Sequence, residues 1–162
     1  MTLADRIAVM RAGRIIQIGT PGEVYERPHT RFISNFLGNS NFFAGRLLDC
    51  RDGLAHLQAE DGPVLVTGCD RLYPPGAPLT LVVRPEKIRL YRGQPPENLQ
   101  NRLEAQVVHR VYMGTSTTYL LQPAAGERVT VFAQNEGSRP AFETGETVTA
   151  AWEADACFLL DE

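Results

Sequence analysis

Apolar residues fall in short runs broken by Gly, Pro and Asp, and the first pair of runs predicts a β-hairpin. Arg6 to Met10 forms one strand, Arg11-Ala12-Gly13 a turn in which Gly13 is free to take positive φ, and Arg14 to Ile18 a β-branched return strand. The pattern then changes period. Thr20-Pro21-Gly22-Glu23 is a helix start: the Thr20 hydroxyl caps the third helical N–H and Glu23 reaches back to the Thr20 N–H. Pro21 sits where a missing N–H costs nothing, and Pro28 stops the helix early. A second short helix starts near Thr30 and ends at Gly38, with Phe32, Ile33, Phe36 and Leu37 on one face. Four large apolar groups on so short a helix require a surface to bury against.

After Asn39-Ser40-Asn41 the period is two. Strands are predicted over 42–49, 54–59, 63–67 and 79–84, and, beyond a Pro-containing connection at 92–98, over 102–112, 116–122, 128–133, 146–153 and 157–160. Within 102–112, Leu103, Ala105, Val107, His109 and Val111 share one face, which places His109 on the apolar side. No internal repeat stands out. Many short strands without long helices between them predict a small antiparallel barrel or sandwich.

Composition narrows this picture. The chain has 162 residues, 43% hydrophobic and 22% charged, which excludes global disorder and fits one domain, or one domain plus the remnant of another. No apolar run reaches the roughly 18 residues of a membrane span. The first residues carry no signal-peptide pattern, so a soluble, unexported chain is expected. The net charge of −3 is uneven, since residues 94–162 carry four Arg against ten acids. That half repels a phosphate backbone, so nucleic acid is not an expected partner. Lys87 is the only lysine, which removes P-loop and Schiff-base lysines elsewhere in the chain. Cys50, Cys69 and Cys157 are widely separated without a C-x-x-C, and the thiols are expected to be reduced. His29, His56 and His109 are isolated, so no metal site is expected.

Neither common phosphate-cradling loop occurs, nor H-E-x-x-H, nor G-x-S-x-G. Gly114-Thr115-Ser116-Thr117-Thr118 offers hydroxyls without a nearby base, and Glu143 and Glu146 flank a turn as solvated acids. No catalytic residue and no cofactor-binding residue is expected in the chain.

One stretch carries a family resemblance. Leu3-Ala4-Asp5-Arg6-Ile7-Ala8-Val9-Met10, Gly13 to Pro21, Glu23-Val24-Tyr25-Glu26-Arg27-Pro28, Phe32 to Gly38 and Asn41-Phe42-Phe43 resemble the end of the ATPase domain of ABC importers. The branch resembled is the one serving polyamines, ferric iron and sugars. Val82-Val83-Arg84-Pro85-Glu86-Lys87-Ile88-Arg89-Leu90 is similar to the R-P-E segment of the family's C-terminal regulatory domain, known as TOBE. Asn101 to Tyr119 and Val148 to Leu160 resemble its later strands.

The resemblance implies a mainly β fold: an OB-fold-like antiparallel barrel of TOBE/MOP type, preceded by a β-hairpin and two short helices. It divides the chain into 1–40, a remnant of the ATPase domain, and 41–162, the regulatory barrel. The family's phosphate-binding loop, Q-loop, signature sequence, Walker B end and switch histidine would all precede residue 1. ATP and Mg are thus implied for the full-length protein only. The implied role is regulation and dimerisation, with a second copy, the missing ATPase domain and the permease subunits as partners. The implied location is the cytoplasmic side of the inner membrane. The Ser40-Asn41-Phe42-Phe43 segment leans towards a polyamine transporter. Arg84, Glu86, Gly114, Thr115 and Ser116 become candidate interface or regulatory residues, and Phe32, Ile33, Phe36 and Leu37 candidate packing residues. Glu86, two residues on, is placed for a local charge pair with Arg84 or for a cap. A small-ligand module binding an oxyanion or solute is the alternative reading, since barrel mouths hold pockets.

Overall fold

A computed structural model describes residues 4–69, 71–135 and 141–161. Its first elements follow from local chemistry. Strands β1 (Ile7–Arg11) and β2 (Arg14–Gly19) pair antiparallel around Ala12-Gly13, both at positive φ, 49° and 75°. Helix α1 (Pro21–Glu26) carries the full capping box: Glu23 N–H donates to the Thr20 hydroxyl at 3.3 Å, and Thr20 N–H to the Glu23 carboxylate at 2.8 Å. Helix α2 (Arg31–Leu37) is capped by Thr30 in the same way, with a 3.2 Å bond from Ile33 N–H. The Gln17 side chain ties hairpin to helices, donating to Arg27 O and accepting from His29 N–H.

These elements build a small core of their own from Val9, Val24 and Ile33, flanked by Ile7, Ile16, Phe32 and Leu37. Of the four apolar residues expected on one face of α2, Ile33 is buried and Phe32 and Leu37 are partly buried, while Phe36 is 67% exposed and stacks on Phe32 at 5.9 Å. Ser34 is buried as well, because the barrel covers that side of the helix through the cluster described below.

The remaining strands form two five-stranded antiparallel sheets. One runs β5 (Val64–Gly68), β4 (Leu54–Ala59), β3 (Asn41–Arg51), β6 (Pro78–Val83), β12 (Cys157–Leu160). The other runs β10 (Val129–Gln134), β9 (Ser116–Pro123), β8 (Asn101–Tyr112), β11 (Thr147–Trp152), β7 (Arg89–Tyr91). The short strand β7 lies in a stretch that the hydrophobic pattern leaves unassigned. Their facing sides form one core around Trp152, which stacks on Phe43 at 5.6 Å, with Leu57, Leu81, Val107, Leu121 and Val131.

The two sheets overturn the expectation of no internal repeat. Strands β3 to β7 and β8 to β12 follow one plan, and each half gives its last strand to the other half's sheet. Asn41 opens β3 and Asn101 opens β8. Each is buried and makes two hydrogen bonds of 2.7–2.8 Å to one backbone unit on the facing sheet's edge strand, Asn41 to Thr130 and Asn101 to Val66. Gly76 N–H donates to Leu47 O and Gly145 N–H to Val107 O, both at 2.7 Å. Both long strands shift register at the same place, between Leu47 and Asp49 and between Val107 and His109. The repeat is hidden because backbone-directed side chains and turns conserve it, while most core residues differ.

The second register shift also corrects the face assigned to His109 and Val111. A bulge inserts one residue, so alternation restarts in the opposite phase, and both side chains turn outward into solvent. Gly45 fits the close approach of β4, since a Cβ there would lie 2.4 Å from Gln58 O.

Candidate functional site

Arg84 closes the apolar strand β6, where Pro85 ends the ladder for want of an N–H and starts a single 3-10 turn (Pro85–Lys87). The guanidinium is 2% exposed. Its Nη1 donates to Ser34 O at 2.9 Å, Gly38 O at 3.1 Å and the Ser40 hydroxyl at 2.8 Å, and its Nη2 donates to Tyr25 O at 2.8 Å. The same group lies over the Tyr25 ring at 4.2 Å. Arg84 Nε has no partner. A cation buried among carbonyls that close α1 and α2 therefore joins the helical unit to the barrel.

Glu86 does not pair with Arg84, contrary to the local charge pair expected. Its carboxylate accepts the Tyr25 hydroxyl at 2.7 Å, because the 3-10 turn aims it outward along α1. Burial, and then this bond, raise the Tyr25 pKa above the ordinary tyrosine range. Lys87 adds an ion pair with Glu26 at 3.8 Å. Arg84, Glu86 and Lys87 thus all reach the helical unit.

Beside this joint lies a cleft of about 840 Å³ between the end of α1 (Glu26 to His29) and the barrel, where Arg71, Tyr73 and Asp155 to Asp161 form the wall. Arg71 is ion-paired to Asp161 and lies over the Tyr73 ring at 4.6 Å. Sequence reasoning missed this cleft, whose walls come from three distant segments.

Gly114, Thr115 and Ser116 are brought together elsewhere, at the β8–β9 tip. Gly114 takes φ +76°, and Asn135 clamps the tip by donating to Gly114 O at 2.6 Å and Thr115 O at 2.9 Å. Ser116 is buried, and Thr117 donates to the Asn135 carbonyl at 2.7 Å. The Thr117 hydroxyl and the backbone carbonyls of Gly114 and Thr115 thus hold the turn through Asn135, while Val111, Tyr112, Met113 and Phe132 stand exposed on β8, β10 and the tip. Glu143, expected in solvent, is exposed there and pairs with Arg110, while Glu146 is partly buried and pairs with Arg92.

The cysteine reading is corrected too. Cys50 and Cys69 are joined by a disulfide, because the β3–β4–β5 meander folds their strand ends together, and only Cys157 is a free thiol. Burial pushes the Cys157 thiol up to about 11. Among the described residues no group of three or more His, Cys, Asp or Glu could hold a metal ion, and no helix is long and apolar enough to cross a membrane.

The two-sheet barrel with its R-P-E turn defines the class: residues 81–160 match the family model for the TOBE domain. A solved structure of the cytoplasmic molybdate-binding protein ModG, with molybdate bound, superposes with a TM-score of 0.68 at 16% identity, covering 75% of this chain and 96% of that one. This likeness establishes an OB-like fold. The chain is 41% identical to the spermidine/putrescine import ATP-binding protein PotA of Acidothermus cellulolyticus over 85% of its length, and 36% identical to the putrescine transport ATP-binding protein PotG of Escherichia coli over 99%. It spans 36% and 43% of those relatives. The chain carries a TOBE domain and is homologous to the C-terminal part of ABC-importer ATP-binding subunits.

Proposed function

We propose that this chain is the regulatory and dimerisation part of the ATP-binding subunit of a polyamine importer, with residues 1–40 belonging to the ATPase domain and 41–162 to the regulatory barrel. The observation that carries the reading is the Arg84 cluster. A buried cation spanning the two units transmits movement of one to the other, since sliding them apart would strand the guanidinium or the carbonyls it satisfies. The helical unit also exposes Met10, Ile15, Ile18 and Phe36, an apolar surface suited to the rest of an ATPase domain. In this reading the chain itself binds no nucleotide and holds no metal, a second copy contacts the barrel, permease subunits complete the transporter, and the protein works at the cytoplasmic face of the membrane. Arg84 and Glu86 act as the coupling residues, and Gly114, Thr115 and Ser116 shape the barrel surface near the exposed strip.

The isolated chain is expected to show no ATP hydrolysis above a heat-killed control and to self-associate reversibly in analytical ultracentrifugation. Hydrolysis would overturn the division of labour, and strict monomers at high concentration would overturn the dimer contact. A ligand-sensing reading is favoured only by the cleft beside Arg84. Calorimetry with oxyanions and polyamines tests it, and heat that vanishes on filling the cleft through Tyr73→Trp would support it.

A further inference from the structure

The disulfide lies in an unusual place for a structural crosslink. In its sheet β4 separates β3 from β5, yet Cys50 near the end of β3 bonds Cys69, the residue after β5. The tight β3–β4 turn, with Asp52 and Gly53 both at positive φ, curls the meander so that Cys69 N–H donates to Gly53 O at 2.9 Å. The bond therefore closes the end of a three-stranded meander, and both cysteines remain only partly buried.

What the bond holds is the connection from β5 to β6. At its far end this connection is pinned to β3, because Gly76 N–H donates to Leu47 O and Leu47 N–H to Ala77 O. At its near end the tether is Cys69. Between the two anchors stand Arg71 and Tyr73, which wall the cleft next to Arg84, and Arg71 reaches across to Asp161 beyond β12. The second half of the barrel has no cysteine at the corresponding connection, whose near end is held by the Asn135 hydrogen bonds. Both halves border the cleft, the second through Asp155 to Asp161, but covalent anchoring is confined to the first.

We propose that Cys50 and Cys69 are a reversible thiol–disulfide switch that fixes or releases the cleft wall carried by residues 71–77. The oxidant is a low-molecular-weight disulfide such as oxidised glutathione. One cysteine thiolate attacks a sulfur of the small disulfide, forming a mixed disulfide and expelling one small thiolate. The second cysteine thiolate then attacks the protein sulfur, closing the Cys50–Cys69 bond and expelling the second small thiolate. Two protein thiols are oxidised, one small disulfide is reduced to two thiols, and the two protons lost by the protein end on them. Excess small thiol runs the exchange backwards. Cys157 takes no part, because it is buried and its pKa is raised to about 11, which leaves little thiolate. The switch stands apart from the transporter reading, since it concerns the geometry of this barrel alone.

The test equilibrates the full chain in glutathione buffers of graded oxidised-to-reduced ratio, quenches in acid, denatures and alkylates. The expected result is a smooth passage from three alkylated cysteines to one, so that after alkylation the closed form lacks two alkyl groups as well as two hydrogens. Backbone amides of Gly76 and Ala77, followed by hydrogen exchange on the same samples, should exchange roughly tenfold more slowly in the oxidised form. Cys50→Ser/Cys69→Ser should exchange at the reduced rate in every buffer. Three alkylated cysteines at all ratios, or a bond that survives the most reducing buffer, would overturn reversibility. A bond that forms and opens without changing exchange in 71–77 would overturn the switch.

Discussion

Before its last strand the first half of the barrel runs Val83-Arg84-Pro85-Glu86-Lys87 and the second Trp152-Glu153-Ala154-Asp155-Ala156, a ladder end followed in each case by one 3-10 turn. Lys87 N–H donates to Arg84 O at 3.0 Å and Ala156 N–H to Glu153 O at 3.1 Å, so the backbones match. The side chains diverge. Arg84 is buried and gathers the backbone of α1, α2 and the segment to Ser40. Glu153 stays nearer solvent, its carboxylate accepting from Asn98 at 3.3 Å, while Gln100 accepts from Ala154 N–H. In each half the segment leading into the first strand docks on the turn near that half's end. The two halves present the docking geometry twice, and Arg84 makes one of them the joint with another unit.

Exchanging that residue breaks the comparison most severely. Arg84→Met leaves the carbonyls of Ser34, Gly38 and Tyr25 without their donor and should cost roughly 3–5 kcal/mol in urea unfolding. Glu153→Gln at the matching position should cost less than about 1 kcal/mol. Amide exchange at Val24, Arg27 and Ser34 should accelerate in the first variant alone. Equal losses in the two variants would mean that the turns are interchangeable and that Arg84 joins nothing.

The paired asparagines sharpen the likeness instead. Asn41→Ala and Asn101→Ala each strip two hydrogen bonds from a buried backbone unit, and each should cost about 2–3 kcal/mol. Because the two sites repeat one geometry, the losses should agree within about 1 kcal/mol. A large inequality in chemical denaturation would show that one sheet edge carries the barrel and the other is dispensable.

Much of the fold is legible in the sequence because its signals are local. The capping box at Thr20, the turn at Ala12-Gly13 and the alternation of β8 up to Val107 need no knowledge of distant residues. Alternation fails at His109 because a bulge leaves no mark in the hydrophobic pattern. The duplication is illegible for a related reason: its conserved residues, Asn41 with Asn101 and Gly76 with Gly145, act on backbone, and a pattern search weighs apolar side chains. Arg84 and Glu86 stand out in sequence, one closing an apolar run and the other following a proline. Their true partners, Tyr25 and Ser34, lie too far away for spacing to reveal, and the disulfide depends likewise on how one meander curls.

The smallest predicted effect concerns the outer edge of the same joint. Tyr25 is held neutral by burial and by its bond to Glu86, so its folded pKa lies above the unfolded value near 10. Its contribution to stability is fully present below pH about 10 and is lost as pH rises through the folded pKa, because the unfolded chain gives up the phenol proton first. Tyr25→Phe should cost about 1 kcal/mol at neutral pH for the lost hydrogen bond and should show a shallower alkaline decline. Cys157, with its pKa near 11, also titrates in this range, but it does so in both proteins. The difference between the two stability curves therefore isolates Tyr25. A difference that stays constant from pH 7 through the alkaline limb would show that the tyrosine ring alone, stacked under Arg84, supports the joint, and that the Glu86 bond adds nothing to it.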